Sequence, residues 1–327
     1  MDKDLRDVRR ICEWIHRARH ILLVTHVAPD GDAIGSLLGL GWLLRAQGKG
    51  LTLACEDPVP EIYTWLPGSG EVVRHGHGSY DLVISLDCSD ARRMGDVFGE
   101  GIVGTPLLNV DHHVTNTRFG TVNWVDPSSV ATAQMILTLA DALGWELIQP
   151  TAVCLLNGLV TDTQSFRTSN VDTAAMRAAL RLMEAGASLS EITWRALEQR
   201  PFAVIRLWGQ AIDRSHLEDG ILWTEVTRTM RQQSALDGNS SSGLANFLSG
   251  VREAKVVVVF TERDDGTVDV GMRAIPGCDV ARVAVRLGGG GHPQAAGSTL
   301  EGDLAQVRQL VLAEVRRSLA EQGVGGA

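Results

Sequence analysis

Residues 21–48 read ILLVTHVAPDGDAIGSLLGLGWLLRAQG. The first five form a continuous apolar run, the pattern of a strand buried on both faces. A short loop, VAPDGD, follows, and then a helix-like segment that ends at Gly48. Strand, loop and helix in that order open an α/β unit, and the loop carries His26, Asp30 and Asp32. The alternation continues outward. Residues 51–55, 82–86 (LVISL) and 106–110 (PLLNV) read as further strands, and 129–144, 150–161 and 172–186 as helices. Strands that alternate with helices predict a parallel sheet with right-handed crossovers.

The texture changes after residue 187. Residues 188–215 read as polar amphipathic helices, a helical linker. From residue 216 the pattern turns to ILWTEV (221–226), KVVVVFTE (255–262) and TVDVGMRA (267–274). The last two flank Asp265-Gly266, a hairpin turn signal. The expected organisation is an α/β domain over 1–187, the linker over 188–215 and a smaller mixed-sheet α/β domain over 216–327.

Composition bounds the function. The 327 residues carry 30 basic and 39 acidic side chains, a net charge of −9. Lysine occurs only at positions 3, 49 and 255. A protein that coats long nucleic acid needs a basic face, so the acidic balance argues against that class and leaves a small anionic substrate held by a few arginines open. Five scattered cysteines with no C-x-x-C pair point to a reducing compartment. The charged N-terminus lacks a signal-peptide apolar core, and no apolar run approaches the ~20 residues of a membrane span. A cytoplasmic protein without membrane contact is expected. Glycine makes up 35 of 327 residues, above the usual ~7%. The excess is expected at tight turns or where backbone approaches a ligand.

Acidic and histidine residues gather at the predicted strand ends. His26 follows the first strand, with Asp30 and Asp32 in the next loop. Asp87 ends LVISL, and Asp111, His112 and His113 end PLLNV. Asp162 closes an apolar segment in GLVTDTQSF. In an open parallel sheet the C-terminal strand ends share one edge, where ligands bind. Taken singly, P-D-G-D is a turn and a strand-terminal aspartate a cap. Together they would place four carboxylates (Asp30, Asp32, Asp87, Asp162) at one edge. Each like-charge pair at ~4 Å costs about 4 kcal/mol at an effective dielectric near 20. Two divalent cations would neutralise the set, and mixed carboxylate and imidazole donors suit Mn²⁺, with Mg²⁺ or Co²⁺ as alternatives. Two such ions about 3.5–4 Å apart clamp a phosphoryl group and activate water.

The second domain carries GGGGHPQAAG over 288–297. Four glycines in a row do not suit a helix or strand interior. They read instead as a backbone cradle whose N–H groups point at an anion, with His292 as an added donor. Arg273, at the end of the preceding strand, could take a phosphate bidentately.

HVAPDGDAIGS, the LDCSD aspartate, NVDHH and LVTDTQSF resemble, in order, the four motifs of the DHH phosphoesterases. GGGGHPQAAG is similar to the signature of the type 1 DHH-associated domain. The motifs span residues 26–297. In size and layout the chain resembles the NrnA-like group of oligoribonucleases that also dephosphorylate 3′-phosphoadenosine 5′-phosphate (pAp). The resemblance implies a Rossmann-like catalytic domain and two Mn²⁺ ions. His26, Asp30 and Asp87 would hold one ion; Asp32, Asp87, His112 and Asp162 would hold the other, with Asp87 shared. It implies catalytic roles for His113, at the scissile phosphate, and for Asp111, aligning the histidines. Arg273, Gly290, Gly291 and His292 would grip a substrate phosphate, with Arg167 as a further contact. Gln164 stands where the fourth motif carries glycine. Implied substrates are short RNA, the dinucleotide pApA and pAp; a homodimer is compatible with the resemblance. The alternatives are a manganese pyrophosphatase or polyphosphatase and a non-catalytic nucleotide-binding regulator. GGGGH argues against the first and the intact ligand set against the second.

Overall fold

The apolar strand His20–Val24 (β1) is buried along Ile21–Val24 and anchors the first sheet. The computed structural model describes residues 2–97, 104–236 and 243–323, with residues 2–9 as backbone only. The chain divides into two compact units, 1–199 and 200–327.

In the first unit, β1, Gly50–Ala54 (β2), Leu82–Leu86 (β3), Leu107–Asp111 (β4) and Val122–Val125 (β5) form a parallel sheet in the order β2-β1-β3-β4-β5. Every neighbouring pair is parallel. The chain runs outward from β1 to β2 and then returns to β3 on the other side of β1. The strand order therefore reverses at β1 and β3, the position where open α/β sheets bind ligands. β5 went unread in the sequence: it is a four-residue edge strand whose residues alternate buried and half-buried.

The helices of this unit are Asp2–Arg17 (α1), Gly31–Ala46 (α2), Thr132–Leu143 (α3), Gln149–Asp162 (α4), Thr173–Glu184 (α5) and Leu189–Thr193 (α6), the last continued by a π-helical turn, Trp194–Glu198. α2 is buried on nearly all sides, including Gly31, Gly35, Gly39 and Gly41. A Cβ at Gly35 would lie 2.5 Å from the Cys154 carbonyl oxygen of α4, and one at Gly158 of α4 would lie 2.5 Å from Asp32 Oδ1. These glycines are neither turns nor ligand contacts. Gly35 and Gly158 let the two helices touch backbone to backbone, while Gly31 and Gly39 make room for side chains of α4 and Gly41 for Leu53, so at these positions the expectation drawn from composition is corrected.

The second unit contains Phe202–Asp213 (α7), His216–Glu218 (β6), Ile221–Val226 (β7), Arg228–Gln233 (α8), Leu244–Leu248 (α9), Val256–Glu262 (β8), Thr267–Ala274 (β9), Ala281–Arg286 (α10), Gly290–His292 (β10), Ala295–Glu301 (β11) and Leu304–Glu321 (α11). Its sheet runs β10-β11-β9-β8-β7-β6 and is antiparallel except for the β7–β8 pair. The α/β class and the parallel-plus-mixed pair of sheets match the sequence reading. The segment 188–215 is shared between the units: Ile192 joins the first core, while Leu207 and Ala211 pack with Leu222 and Val226 in the second.

The glycine run is also corrected. Gly290–His292 is a strand, paired through Gly290↔Gly297, Gly291↔Ala296 and His292↔Ala295. A Cβ at Gly289 would lie 2.1 Å from the Gly297 carbonyl oxygen, and one at Gly291 would lie 2.5 Å from that of Ala295. Close strand approach requires glycine at both positions.

Candidate metal centre

Local sequence explains how each donor reaches the β1/β3 edge. Asp30 is the N-cap of α2, and its carboxylate accepts from the backbone N–H groups of Asp32 (3.1 Å) and Ala33 (3.0 Å). His26 follows β1, and its Nδ1 donates to the Val27 carbonyl at 2.8 Å, which turns Nε2 toward the carboxylates. That Nε2 lies 3.6 Å from Asp87 Oδ2 and 3.8 Å from Asp30 Oδ1. Asp87 sits at the end of β3 in a left-handed backbone conformation, φ 62°, uncommon outside glycine but tolerated by aspartate. His112 is oriented by Nδ1 against the Ser129 carbonyl (3.3 Å). Its Nε2 lies 3.6 Å from Asp87 Oδ1 and 3.2 Å from Asp162 Oδ2.

The predicted ligands thus come together. Donor atoms of His26, Asp30 and Asp87 lie within 4.8 Å of one another, as do those of Asp32, His112 and Asp162. Asp87, Asp111 and His113 form a third such group. His113 Nδ1 is 2.8 Å from Asp111 Oδ1, and the other Asp111 oxygen accepts from Asn116 Nδ2 at 2.6 Å. Asn116 escaped the sequence reading, because it acts through a hydrogen bond to Asp111 and lies in no pattern of its own.

The electrostatics describe a pocket short of positive charge. Among the described residues, the ion partners of Asp30, Asp87 and Asp162 are histidines. Burial, and then the charge of Asp87, push Asp32 up to about 7. Burial and the charges of Asp32, Asp30 and Asp87 hold Asp162 well above the usual carboxylate range. Burial alone would lower His26, but hydrogen bonds and charge from Asp30 and Asp87 outweigh it and raise the imidazole to about 10. Burial would raise Asp87, yet its histidine neighbours, His26 first, hold it well below the ordinary range. Divalent cations fit this donor set, since they would bind the ionised carboxylates and the turned-in imidazole nitrogens together.

A stability consequence follows for chelator-treated protein. Asp32 binds its proton more tightly folded than unfolded, so its contribution falls as pH rises from about 4 to about 7. His26, raised in the folded state, contributes fully below about 6.5 and loses that contribution as pH rises toward 10. Both act in one direction. Calorimetry should show the melting temperature of chelated protein falling from pH 5 to pH 8, and the gain on adding Mn²⁺ growing over that range. A chelated protein that is most stable at pH 8 would contradict the charge balance described.

The fourth motif is resolved by its backbone. Gln164, Ser165 and Phe166 all have left-handed φ, 50°, 59° and 63°. Gln164 holds a conformation that glycine favours, and its Nε2 donates to the Thr161 carbonyl at 3.0 Å. Arg167 is exposed, with Nε on the Gln164 carbonyl at 2.8 Å.

In the second unit, Ala295 of β11 pairs with Arg273 of β9 on one side and His292 of β10 on the other. Residues directly opposite across strands point to one face, so Arg273 and His292 share a face, separated by a single alanine. Arg273 is desolvated, which lowers its pKa; its Nε donates to Asn246 Oδ1 and its Nη1 to the Met272 carbonyl.

Residues 20–159 match the DHH family N-terminal domain, and 223–321 match the DHHA1 domain. The chain is 38% identical to the bifunctional oligoribonuclease and PAP phosphatase NrnA of Thermus thermophilus, over 93% of this chain and 91% of that protein. It is 28% identical to the NrnA of Bacillus subtilis, covering 86% and 89%. An exopolyphosphatase-related protein from Bacteroides fragilis shares the fold with a TM-score of 0.89 at 20% identity, covering 98% of each chain. The chain belongs to the DHH family and, within it, to the group of the NrnA proteins. Among the described residues, no helix is long and apolar enough to cross a membrane.

Proposed function

We propose that this chain is a manganese-dependent phosphoesterase. It would hydrolyse short oligoribonucleotides and pApA to mononucleotides and remove the 3′-phosphate of pAp. The observation that carries the reading is the convergence of His26, Asp30, Asp32, Asp87, His112 and Asp162, drawn from four places in the sequence, at the switch point of the sheet. The names of the NrnA relatives supply the substrate class.

His26, Asp30 and Asp87 would hold one cation and Asp32, Asp87, His112 and Asp162 the second. Bound there, the ions supply Lewis-acid polarisation of phosphoryl oxygens and a lowered water pKa. Asp111, fixed by Asn116, keeps a proton on His113 Nδ1 and sets the ring orientation. Burial would lower the His113 pKa, but the Asp111 hydrogen bond and the Asp87 charge outweigh it. His113 therefore carries a second proton readily and would donate it from Nε2 as a hydrogen bond to the charge that develops on the scissile phosphate. Arg273, with His292, Gly290 and Gly291 of β10 on the far side of β11, would bind a substrate phosphate, and Arg167 would be an outer contact. The substrates would be short, since a chain with a net charge of −9 is acidic overall.

The test is to load the protein with Mn²⁺ and offer pApA, a five-nucleotide RNA, pAp and pyrophosphate in parallel. AMP release from pApA, breakdown of the oligomer and conversion of pAp to AMP are expected. Preferential pyrophosphate cleavage would overturn the reading, and nucleotide binding without turnover would favour a regulator. In the same assay Arg273→Ala should raise KM more than it lowers kcat, the mark of uniform substrate binding. An effect confined to kcat would contradict that role.

A further inference from the structure

The first turn of α3 touches two of the candidate ligand carboxylates at once. Its N-cap position, Ala131, has no side chain able to cap. Asp32, about a hundred residues away in sequence and on the first turn of α2, does this work in its place. Its Oδ2 accepts from Thr132 N at 2.6 Å and its Oδ1 from Ala133 N at 3.0 Å. Thr132 stands one position beyond the N-cap, so its hydroxyl is not required for capping. Here the cap comes from Asp32, and the Thr132 hydroxyl donates instead to Asp87 Oδ1 at 2.9 Å. Thr132 and Asp32 are completely buried and Asp87 nearly so. No water is therefore needed to explain how the hydroxyl is satisfied.

We propose that Thr132 is a positioning residue, which fixes the rotation of the Asp87 carboxylate between the two ligand groups. Asp87 Oδ1 accepts from Thr132 and lies 3.6 Å from both His112 Nε2 and His113 Nδ1, while Oδ2 lies 3.6 Å from His26 Nε2. With Oδ1 tied, the carboxylate cannot swing both oxygens toward one group. It offers one oxygen to the His26 side and the other to the His112 and His113 side. The inference rests on the metal-dependent reading above and adds a residue that neither periodicity nor motif spacing indicates. The contact spans 45 positions.

The test titrates chelated protein with Mn²⁺ alone, by calorimetry, in wild type, Thr132→Val, Thr132→Ala and Thr132→Ser. Valine keeps the shape and the backbone N–H to Asp32 but removes the hydroxyl donor. Loss of a hydrogen bond that orients a metal ligand typically weakens binding about 10- to 100-fold. That loss is expected in Thr132→Val, and in Thr132→Ala should valine not fold. Thr132→Ser should return within about threefold of wild type. A purely structural role would lower the melting temperature of the chelated protein and leave Mn²⁺ affinity unchanged. Valine and alanine variants that bind Mn²⁺ within threefold of wild type would overturn the proposal, as would a wild-type chain that binds no Mn²⁺. A wild type that binds Mn²⁺ but hydrolyses none of the nucleotides would sink the functional reading and leave this one standing if the variants separate as stated.

Discussion

Asp87→Asn should reduce hydrolysis of pApA and pAp by at least about 10³-fold, a loss of roughly 4 kcal/mol of transition-state stabilisation. Asparagine is the informative substitution. Asp87 has φ 62°, a region that asparagine enters readily and alanine does not. The variant therefore keeps the backbone and the approximate shape and removes only the charge. That charge stands at the centre of the site: His26, His112 and His113 all face Asp87 at 3.6 Å. Without it both ligand groups lose their shared anion, and Mn²⁺ binding should weaken in parallel with activity. Far-ultraviolet circular dichroism should remain that of wild type. A folded Asp87→Asn protein retaining a tenth of wild-type kcat would refute the assignment of this carboxylate as the shared ligand.

The second large effect concerns the helix pair α2 and α4. In Gly35→Ala, the added methyl would lie 2.5 Å from the Cys154 carbonyl oxygen and 3.0 Å from Gly158 N. Both are backbone atoms, so neither can turn aside. Alanine gains up to about 1 kcal/mol of helix propensity over glycine, but overpacking a dense core costs about 1–3 kcal/mol, sometimes more. Against immovable backbone the upper range applies, and a net loss of about 2 kcal/mol is expected. For a unit of this size that lowers the melting temperature by about 4–8 °C. Gly158→Ala meets Asp32 Oδ1 at 2.5 Å and Ala133 Cβ at 2.7 Å, so it should also weaken Mn²⁺ binding by displacing a ligand. Gly41→Ala is the control: its nearest neighbour is the movable Leu53 side chain at 3.1 Å, and near-neutral stability is expected. Equal melting temperatures for Gly35→Ala and Gly41→Ala would show that the helices can separate without cost.

Much of the site was legible in the sequence because its chemistry sits at strand ends. ILLVT, LVISL and PLLNV are short apolar runs, and each is followed within a few residues by the donors it delivers to the sheet edge. Asp32 and Asp87 could be grouped on topology alone, since both follow parallel strands whose C-terminal ends share one side; Asp162 ends helix α4, so only its motif indicated it. Thr132 and Asn116 were not legible, because each acts through a hydrogen bond to a ligand and neither lies in a pattern of its own. The glycine run at 288–291 was half legible. Its need for glycine was evident, but the close approach of β11 that imposes the need depends on a pairing no local pattern contains.

By itself, then, the sequence determined the strand–helix alternation, the parallel sheet and the set of donor side chains, because periodicity and strand-end placement are local properties. The tertiary structure alone decided which oxygen of Asp87 faces each histidine and that Oδ1 is tied to Thr132. It also decided that Asp32 caps a helix about a hundred residues away and that the glycines of α2 are a packing surface. Those are contacts between segments far apart in the chain, set by how closely two backbones approach, and a single sequence carries no record of that distance.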